Sequence, residues 1–286
     1  MTTATGRPAS DGDHPWDKAA EGWSRNSALV NAWLDQVTPA MLAAAGVGPG
    51  SRVLDVAAGA GGQTLEIAHR VGLSGYVLAT DISTRILELA GTNLRAAGLR
   101  NVGTRVVDAQ ALGLAGAGFD CAVCRLGLMF CEQPQSALAG IAAALKPGGR
   151  FAAVVFSGPQ ANPCVSILMA TACRHAGLLP PSPSTPGSLF SLGQPGLMAQ
   201  LLEAAGFADV RVQAMAAPMR LPSSAHYLDF IRSSGSPIMQ ILAPLSGPAQ
   251  AAAWDDMAGQ LDRFAAGGGW EGPNELLLCS GTLPGG

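Results

Sequence analysis

Val53-Leu54-Asp55-Val56-Ala57-Ala58-Gly59-Ala60-Gly61-Gly62 reads as a β-strand that opens through a glycine turn into a helix. Glycines at such a turn let a ligand approach bare backbone. A Rossmann dehydrogenase uses the same device for a pyrophosphate, but its third glycine would fall at Thr64, so that fingerprint is incomplete here. Asp55, four residues before the first glycine, is also wrong for cradling an anion. A carboxylate there suits a ligand that carries an ammonium and a sulfonium, which it attracts electrostatically.

Outward from this turn, residues 51–157 alternate β-rich runs with helical periodicity, the pattern of a parallel sheet flanked by helices. The runs predict strands at 52–56, 76–80, 102–107, 119–124 and 150–156. A helix starts near Gly62, and a second is capped by Ser83, carries Ile86, Leu87, Ala90, Leu94 and Ala97 on one face, and stops at Gly98. A third, over 135–145, ends at Lys146-Pro147-Gly148-Gly149, a turn into the next strand. Prolines then break the chain into a loop or lid region. Beyond it come a helix over 195–205, a strand over 208–215, a mostly helical stretch over 223–266, and a last strand over 274–282.

Two more carboxylates stand where strands should end, Asp81 after Leu78-Ala79-Thr80 and Asp108 after Val106-Val107. In a doubly wound sheet all three acids project to the carboxyl edge, where ligands bind. Asp81 is placed to accept two ribose hydroxyls, and Asp108 to accept from an adenine amino group. A single Asp after a strand is ordinarily a turn residue or helix cap. Three in order argue for a site.

With these residues in hand the sequence resembles the class I S-adenosylmethionine (SAM)-dependent methyltransferases, in particular the bacterial branch akin to the ubiquinone and menaquinone methylases. Asp55, Ala57, Gly59 and Gly61 fall in the first family motif, Asp81-Ile82 at the ribose position and Asp108-Ala109 at the adenine position. Arg125-Leu126-Gly127-Leu128-Met129-Phe130 and Leu145-Lys146-Pro147-Gly148-Gly149-Arg150 match later segments, which adds Arg125 to the cofactor contacts. The resemblance implies an α/β, Rossmann-like, seven-stranded, mostly parallel sheet with helices on both faces, a terminal antiparallel hairpin and a helical or loop lid. Composition and patterning along the chain divide it into a disordered leader (1–13), an N-terminal helical cap (14–50), a SAM-binding core (51–158), a Pro-rich lid and helix (159–207), and terminal strands with an inserted helical lid (208–286).

Composition narrows the partners. Hydrophobic residues make up 48% and charged residues 13%, the net charge is −3, and the 17 basic residues are scattered, which excludes a phosphate-coating nucleic-acid binder. No apolar stretch reaches the roughly 18 to 20 residues of a membrane span, and 1–13 lacks a signal core, so a cytoplasmic monomer or homodimer is expected. Cys121 and Cys124 have no second pair to complete a tetrahedral metal site; inside Cys-Ala-Val-Cys they read as small hydrophobes, and no metal is expected.

The strand-four position holds Cys124-Arg125-Leu126-Gly127 rather than the Asn/Asp-Pro-Pro-aromatic turn of nucleic-acid amino-group methylases, and Pro163-Cys164 follows the wrong strand for a cytosine-5 nucleophile. A small organic acceptor remains: a quinol, phenol, polyketide-like or terpenoid compound methylated on oxygen or carbon. The alternatives are an enzyme that keeps SAM unconsumed for a cyclisation or decarboxylation, and a binding module without the cofactor. Trp16, Trp23, Phe190, Tyr227, Phe230, Met239 and Trp254 could wall the acceptor pocket. A general base, where one is needed, would come from His14, His175, His226 or Tyr227, with His226 and Tyr227 taken as the catalytic pair.

Overall fold

The computed structural model describes residues 14–234 and 237–285; the leader expected over 1–13 lies outside them. Three short helices come first, α1 (Pro15–Arg25), α2 (Ser27–Trp33) and α3 (Val37–Ala44). The predicted alternation follows as β1 (Arg52–Val56), α4 (Gly62–Val71), β2 (Tyr76–Asp81), α5 (Thr84–Ala96), β3 (Val102–Val106), β4 (Phe119–Arg125), α6 (Pro134–Ala144) and β5 (Leu145–Phe156). Ser83 caps α5 as expected, its hydroxyl accepting from the Ile86 amide at 3.0 Å.

The turn expected at 146–149 is instead part of β5. Pairing with β4 passes from Phe119↔Leu145 to Cys121↔Arg150, so Lys146-Pro147-Gly148-Gly149 forms an irregularity within the strand. Gly148 adopts φ +77° there, open to glycine at no steric cost.

The sheet order is β3-β2-β1-β4-β5, then β10 (Glu275–Thr282), then β6 (Ala208–Ala216). The first five strands are parallel, and β10 runs antiparallel between β5 and β6. This is the expected seven-stranded sheet. Its central strands are apolar on both faces, with Val53, Leu54, Ala122, Val123 and residues Phe151 to Val155 fully buried, because helices cover both sides. The chain moves from β1 outward to β3 and then crosses to β4, which puts the topological switch point at the carboxyl ends of β1 and β4.

Past β5 the chain forms α7 (Pro163–His175), α8 (Leu197–Ala204), α9 (Ser224–Ser233), α10 (Pro237–Leu242) and α11 (Gly247–Leu261). A three-stranded antiparallel sheet of β7 (Met219–Leu221), β9 (Gly269–Gly272) and β8 (Ala265–Ala266) joins them. Strands this short carry no alternation long enough to read, and they were not expected. The proline-rich segment is tied to the core by the Ser191 hydroxyl, which donates to the Met129 carbonyl at 2.8 Å. No described helix is long and apolar enough to cross a membrane.

Candidate functional site

A cavity of about 410 Å³ lies at the switch point. Its floor comes from the ends of four parallel strands: Val56 to Ala60 after β1, Thr80 to Ile82 at β2, Val107 to Gln110 after β3, and Arg125 to Gly127 at β4. Its roof comes from the N-terminal helices through Trp16, Trp23, Ser27, Val30, Asn31 and Leu34.

Ala57, Gly59, Asp81, Ile82, Asp108, Ala109 and Arg125 all line this cavity. Gly59 adopts φ +58°, and a Cβ built there meets no atom within 4 Å, so any side chain would project into open ligand space. Its amide donates to Asp81 Oδ2 at 3.0 Å, while the Ser83 amide donates to Oδ1 at 3.0 Å. The glycine turn and the β2 carboxylate are thus locked together. Burial holds the Asp81 carboxyl above its ordinary value, the backbone donors opposing it. Asp108 accepts from the Gln110 amide at 2.9 Å and caps the short turn at Ala109.

Two expected contacts lie elsewhere. Asp55 is fully buried and does not reach the cavity; it accepts from Gln63 Nε2 at 2.5 Å and from the Thr64 hydroxyl at 2.6 Å, anchoring the first turn of α4 from beneath. Burial pushes its carboxyl up to about 6, against those two hydrogen bonds and the charge of Arg125. Gly61, the N-cap of α4 at φ +86°, faces α5, where an added Cβ would sit 3.2 Å from the Ala90 Cβ. Its lack of a side chain serves helix packing, not ligand approach.

Arg125 is the half-buried cation of the floor. Its Nη1 donates to Thr38 Oγ1 of α3 at 2.8 Å, and burial lowers the guanidinium to about 10 while the charges of Asp55 and Glu66 oppose that shift. Beside it, Leu126 adopts φ +59°, and Ala57 across the floor adopts φ +54°. Non-glycine residues held there store strain, which clusters at ligand-binding backbone. Gly127 makes the arrangement possible, since a Cβ on it would lie 2.4 Å from the Ala57 Cβ.

The catalytic pair expected from sequence is not at the cavity. His226 is exposed, and its Nδ1 shares a hydrogen bond with the Ser223 hydroxyl at 2.9 Å. Tyr227 is buried and stacked on Trp270 with centroids 5.0 Å apart, and burial pushes its phenol far above the ordinary value. Both sit on α9, whose inner face packs against other elements of the cap. Phe190, Phe230, Met239 and Trp254 do not line the cavity either, whereas Trp16 and Trp23 do. Among the described residues His14 is the histidine that lines it. His14 Nδ1 accepts from the Trp16 amide at 3.3 Å as the N-cap of α1, and His175 pairs with Asp256 on the surface.

The roof is fastened at both ends. Asp17 accepts from the Ser83 hydroxyl at 2.6 Å and from the Arg85 amide at 3.1 Å, at the N-terminus of α5. At the other end Asn26 Nδ2 donates to Ser233 Oγ of α9 at 2.8 Å, and Gly22 approaches α9 so closely that a Cβ would fall 1.5 Å from the Ser233 carbonyl oxygen. Nothing in the local sequence of 14–34 announces these long-range partners. The six cysteines are free and buried, and no group of three or more His, Cys, Asp or Glu that could hold a metal occurs among the described residues.

Comparison with known proteins agrees with this geometry. Residues 53–149 match the methyltransferase domain family. The ubiquinone/menaquinone biosynthesis C-methyltransferase UbiE of Erwinia tasmaniensis is 38% identical over 119 residues, which is 41% of this chain and 47% of that protein. The chain thus spans about half the length of the curated relatives it matches. In fold it is similar to the YcgJ protein of Bacillus subtilis, with a TM-score of 0.59 at 19% identity over 87% of this chain and 98% of that one. It is also similar to the [4+2]-cyclase SpnF, with a TM-score of 0.56 at 18% identity over 95% and 97%. Residues 53–149 are thus similar to the methyltransferase domain family, and the chain as a whole shares the fold of these solved structures.

Proposed function

We propose that the protein transfers the methyl group of SAM to an oxygen or carbon of a small organic acceptor of the quinol, phenol, polyketide-like or terpenoid kind. The observation that carries this is the single unit made by Gly59 and Asp81: a bare glycine turn whose amide fixes a half-buried carboxylate on the cavity wall. That unit fits a ligand with vicinal hydroxyls. Asp81 has lone pairs left to accept both, and a carboxylate acceptor makes the stronger, charge-assisted bonds. Asp108 and the Ala109 backbone would hold an adenine edge, and Arg125 with the first turn of α4 would face a carboxylate.

Bound SAM supplies an electrophilic methyl on a sulfonium, open to in-line displacement. The remaining work is alignment and exclusion of water, which the roof of Trp16, Trp23, Val30 and Leu34 performs. No free imidazole base faces the cavity among the described residues, because the Nδ1 lone pair of His14 is engaged by the Trp16 amide. This favours an acceptor that reaches the cavity already ionised, such as a phenolate or an enolate, which has no proton left to lose on methyl transfer.

Calorimetric titration with SAM and with S-adenosylhomocysteine tests the reading. Micromolar binding of both is expected, and absence of binding by either overturns it.

A further inference from the structure

Of the side chains that the sequence offers as a general base, His14 is the one that lines the cavity. It does so as the N-cap of α1, its Nδ1 accepting from the Trp16 amide at 3.3 Å. That bond fixes the tautomer. A neutral imidazole carries one proton, and the nitrogen that accepts does not hold it, so the proton sits on Nε2. The ring is therefore a donor at its outer nitrogen. It is half-buried, and among the described residues Nε2 has no hydrogen-bond partner. Nor is Nε2 sealed in: the fully enclosed polar atoms that go unpaired among those residues are Trp23 Nε1 and Asn101 Oδ1.

The first turn of α1 is fastened to the segment that carries Asp81. Asp17, three residues past His14, accepts from the Ser83 hydroxyl at 2.6 Å, and the Ser83 amide donates to Asp81 Oδ1 at 3.0 Å. His14 and Asp81 both line the cavity without pairing directly; the histidine ion pair among the described residues is that of His175 with Asp256. Yet they are near neighbours. Burial raises the Asp81 carboxyl, the amides of Ser83, Gly59 and Ile82 oppose it, and the charge of His14 adds to their effect. A donor on the roof and an acceptor on the floor thus border one part of the cavity, with a gap between them.

Resting on the methyltransferase reading, we infer that His14 is a cofactor-binding residue, its Nε2–H donating to the oxygen of a ribose hydroxyl whose own proton goes to Asp81. A hydroxyl is one donor and two lone pairs. Held by a carboxylate alone, it would keep an oxygen with no donor once water is expelled, which costs binding energy. His14 supplies that donor. The same contact ties the cofactor to the roof, because the ribose then joins the end of β2 to the N-cap of the helix that carries Trp16 and Trp23.

The test is calorimetric titration of S-adenosylhomocysteine, and of its 2′-deoxy and 3′-deoxy analogues, into the wild-type protein and His14→Asn. Asparagine keeps the N-cap, since its side-chain oxygen can accept from the Trp16 amide, but it is too short to replace Nε2. His14→Asn should bind S-adenosylhomocysteine about five- to tenfold more weakly at an unchanged unfolding midpoint. At least one deoxy analogue, lacking the hydroxyl that His14 meets, should bind both proteins equally. Equal binding of S-adenosylhomocysteine by the two proteins overturns the inference. So does a deficit that persists undiminished with both analogues, since His14 would then act on another part of the cofactor. Wild-type protein labelled with ¹⁵N-histidine gives a readout that needs no variant to fold: a histidine ring in the Nε2–H form should respond to S-adenosylhomocysteine. A responding ring in the Nδ1–H or doubly protonated form, or no responding histidine while calorimetry records binding, sinks the proposal. Failure of S-adenosylhomocysteine to bind the wild-type protein at all is the separate failure of the methyltransferase reading.

Discussion

The floor and the roof of the cavity are made by different kinds of sequence. Each floor residue answers a local demand: Gly59 a left-handed φ beside open space, Asp81 and Asp108 a place at the end of a parallel strand. The roof consists of helices whose function depends on what they meet far away: Asp17 on Ser83, Gly22 on Ser233, Trp23 on Phe230. Local demands leave marks that a single sequence displays. Long-range meetings leave almost none, and the two regions should therefore fail differently when disturbed.

The most disruptive change should be Gly22→Val. With a Cβ at 1.5 Å from the Ser233 carbonyl, α1 must lift from α9, an overpacking cost of about 3 kcal/mol or more. Hydrogen exchange should show protection lost over 15–34 and retained over 53–149, with weaker SAM binding. Simultaneous loss in both regions would break the comparison, making floor and roof one cooperative unit.

Asp55 tests the floor from beneath. Its carboxyl is raised from 3.8 to about 6 in the folded protein, so between those values the native state keeps a proton that the unfolded chain has released. Stability should therefore fall as pH rises from about 4 to 6, by about 3 kcal/mol in all at roughly 1.4 kcal/mol per unit. Asp55→Asn can still accept from Gln63 and should lose this dependence. Denaturant unfolding of both proteins across the window gives the difference curve, and parallel curves would mean that Asp55 is charged in the fold at no cost.

Asp81→Ala should weaken SAM affinity by about 1–3 kcal/mol, because charged hydrogen bonds to the ligand are lost and the Gly59 and Ser83 amides are left without their acceptor. Calorimetry checks it, and unchanged affinity would remove Asp81 from the ligand site.

The same contrast explains what was legible. The order of strands and acids along 52–125 placed the sheet and seven of the nine expected cofactor residues on one cavity, because a strand end in a parallel sheet has one destination. Asp55 was misplaced by a subtler cause: sequence cannot tell whether a carboxylate beneath a turn faces the ligand or the helix above, and Gln63 and Thr64 decided it. His226 and Tyr227 are titratable groups on a helix that the sequence assigns to the lid, yet α9 turns Tyr227 onto Trp270 and leaves His226 in solvent. The seven-residue spacing of Trp16 and Trp23 puts both on one helical face, and that is the one roof signal the sequence does carry.

The smallest effect expected separates two fastenings of that roof. Asp17 caps α5 through the Ser83 hydroxyl and the Arg85 amide, whereas Glu21 holds the Arg85 side chain at 2.5 Å in an ion pair exposed on both sides. A capping carboxylate at a helix N-terminus contributes about 1 kcal/mol. An exposed ion pair contributes less, with a median of about 0–1 kcal/mol, and salt screens it. Asp17→Ala should thus lower the unfolding midpoint at both low and high salt and weaken SAM binding slightly, since Ser83 also supplies the amide that fixes Asp81. Glu21→Ala should do little at low salt and nothing at high salt. Equal effects of the two would mean that charge attraction rather than capping holds α1 down, and the roof would then rest on the weaker of its two fastenings.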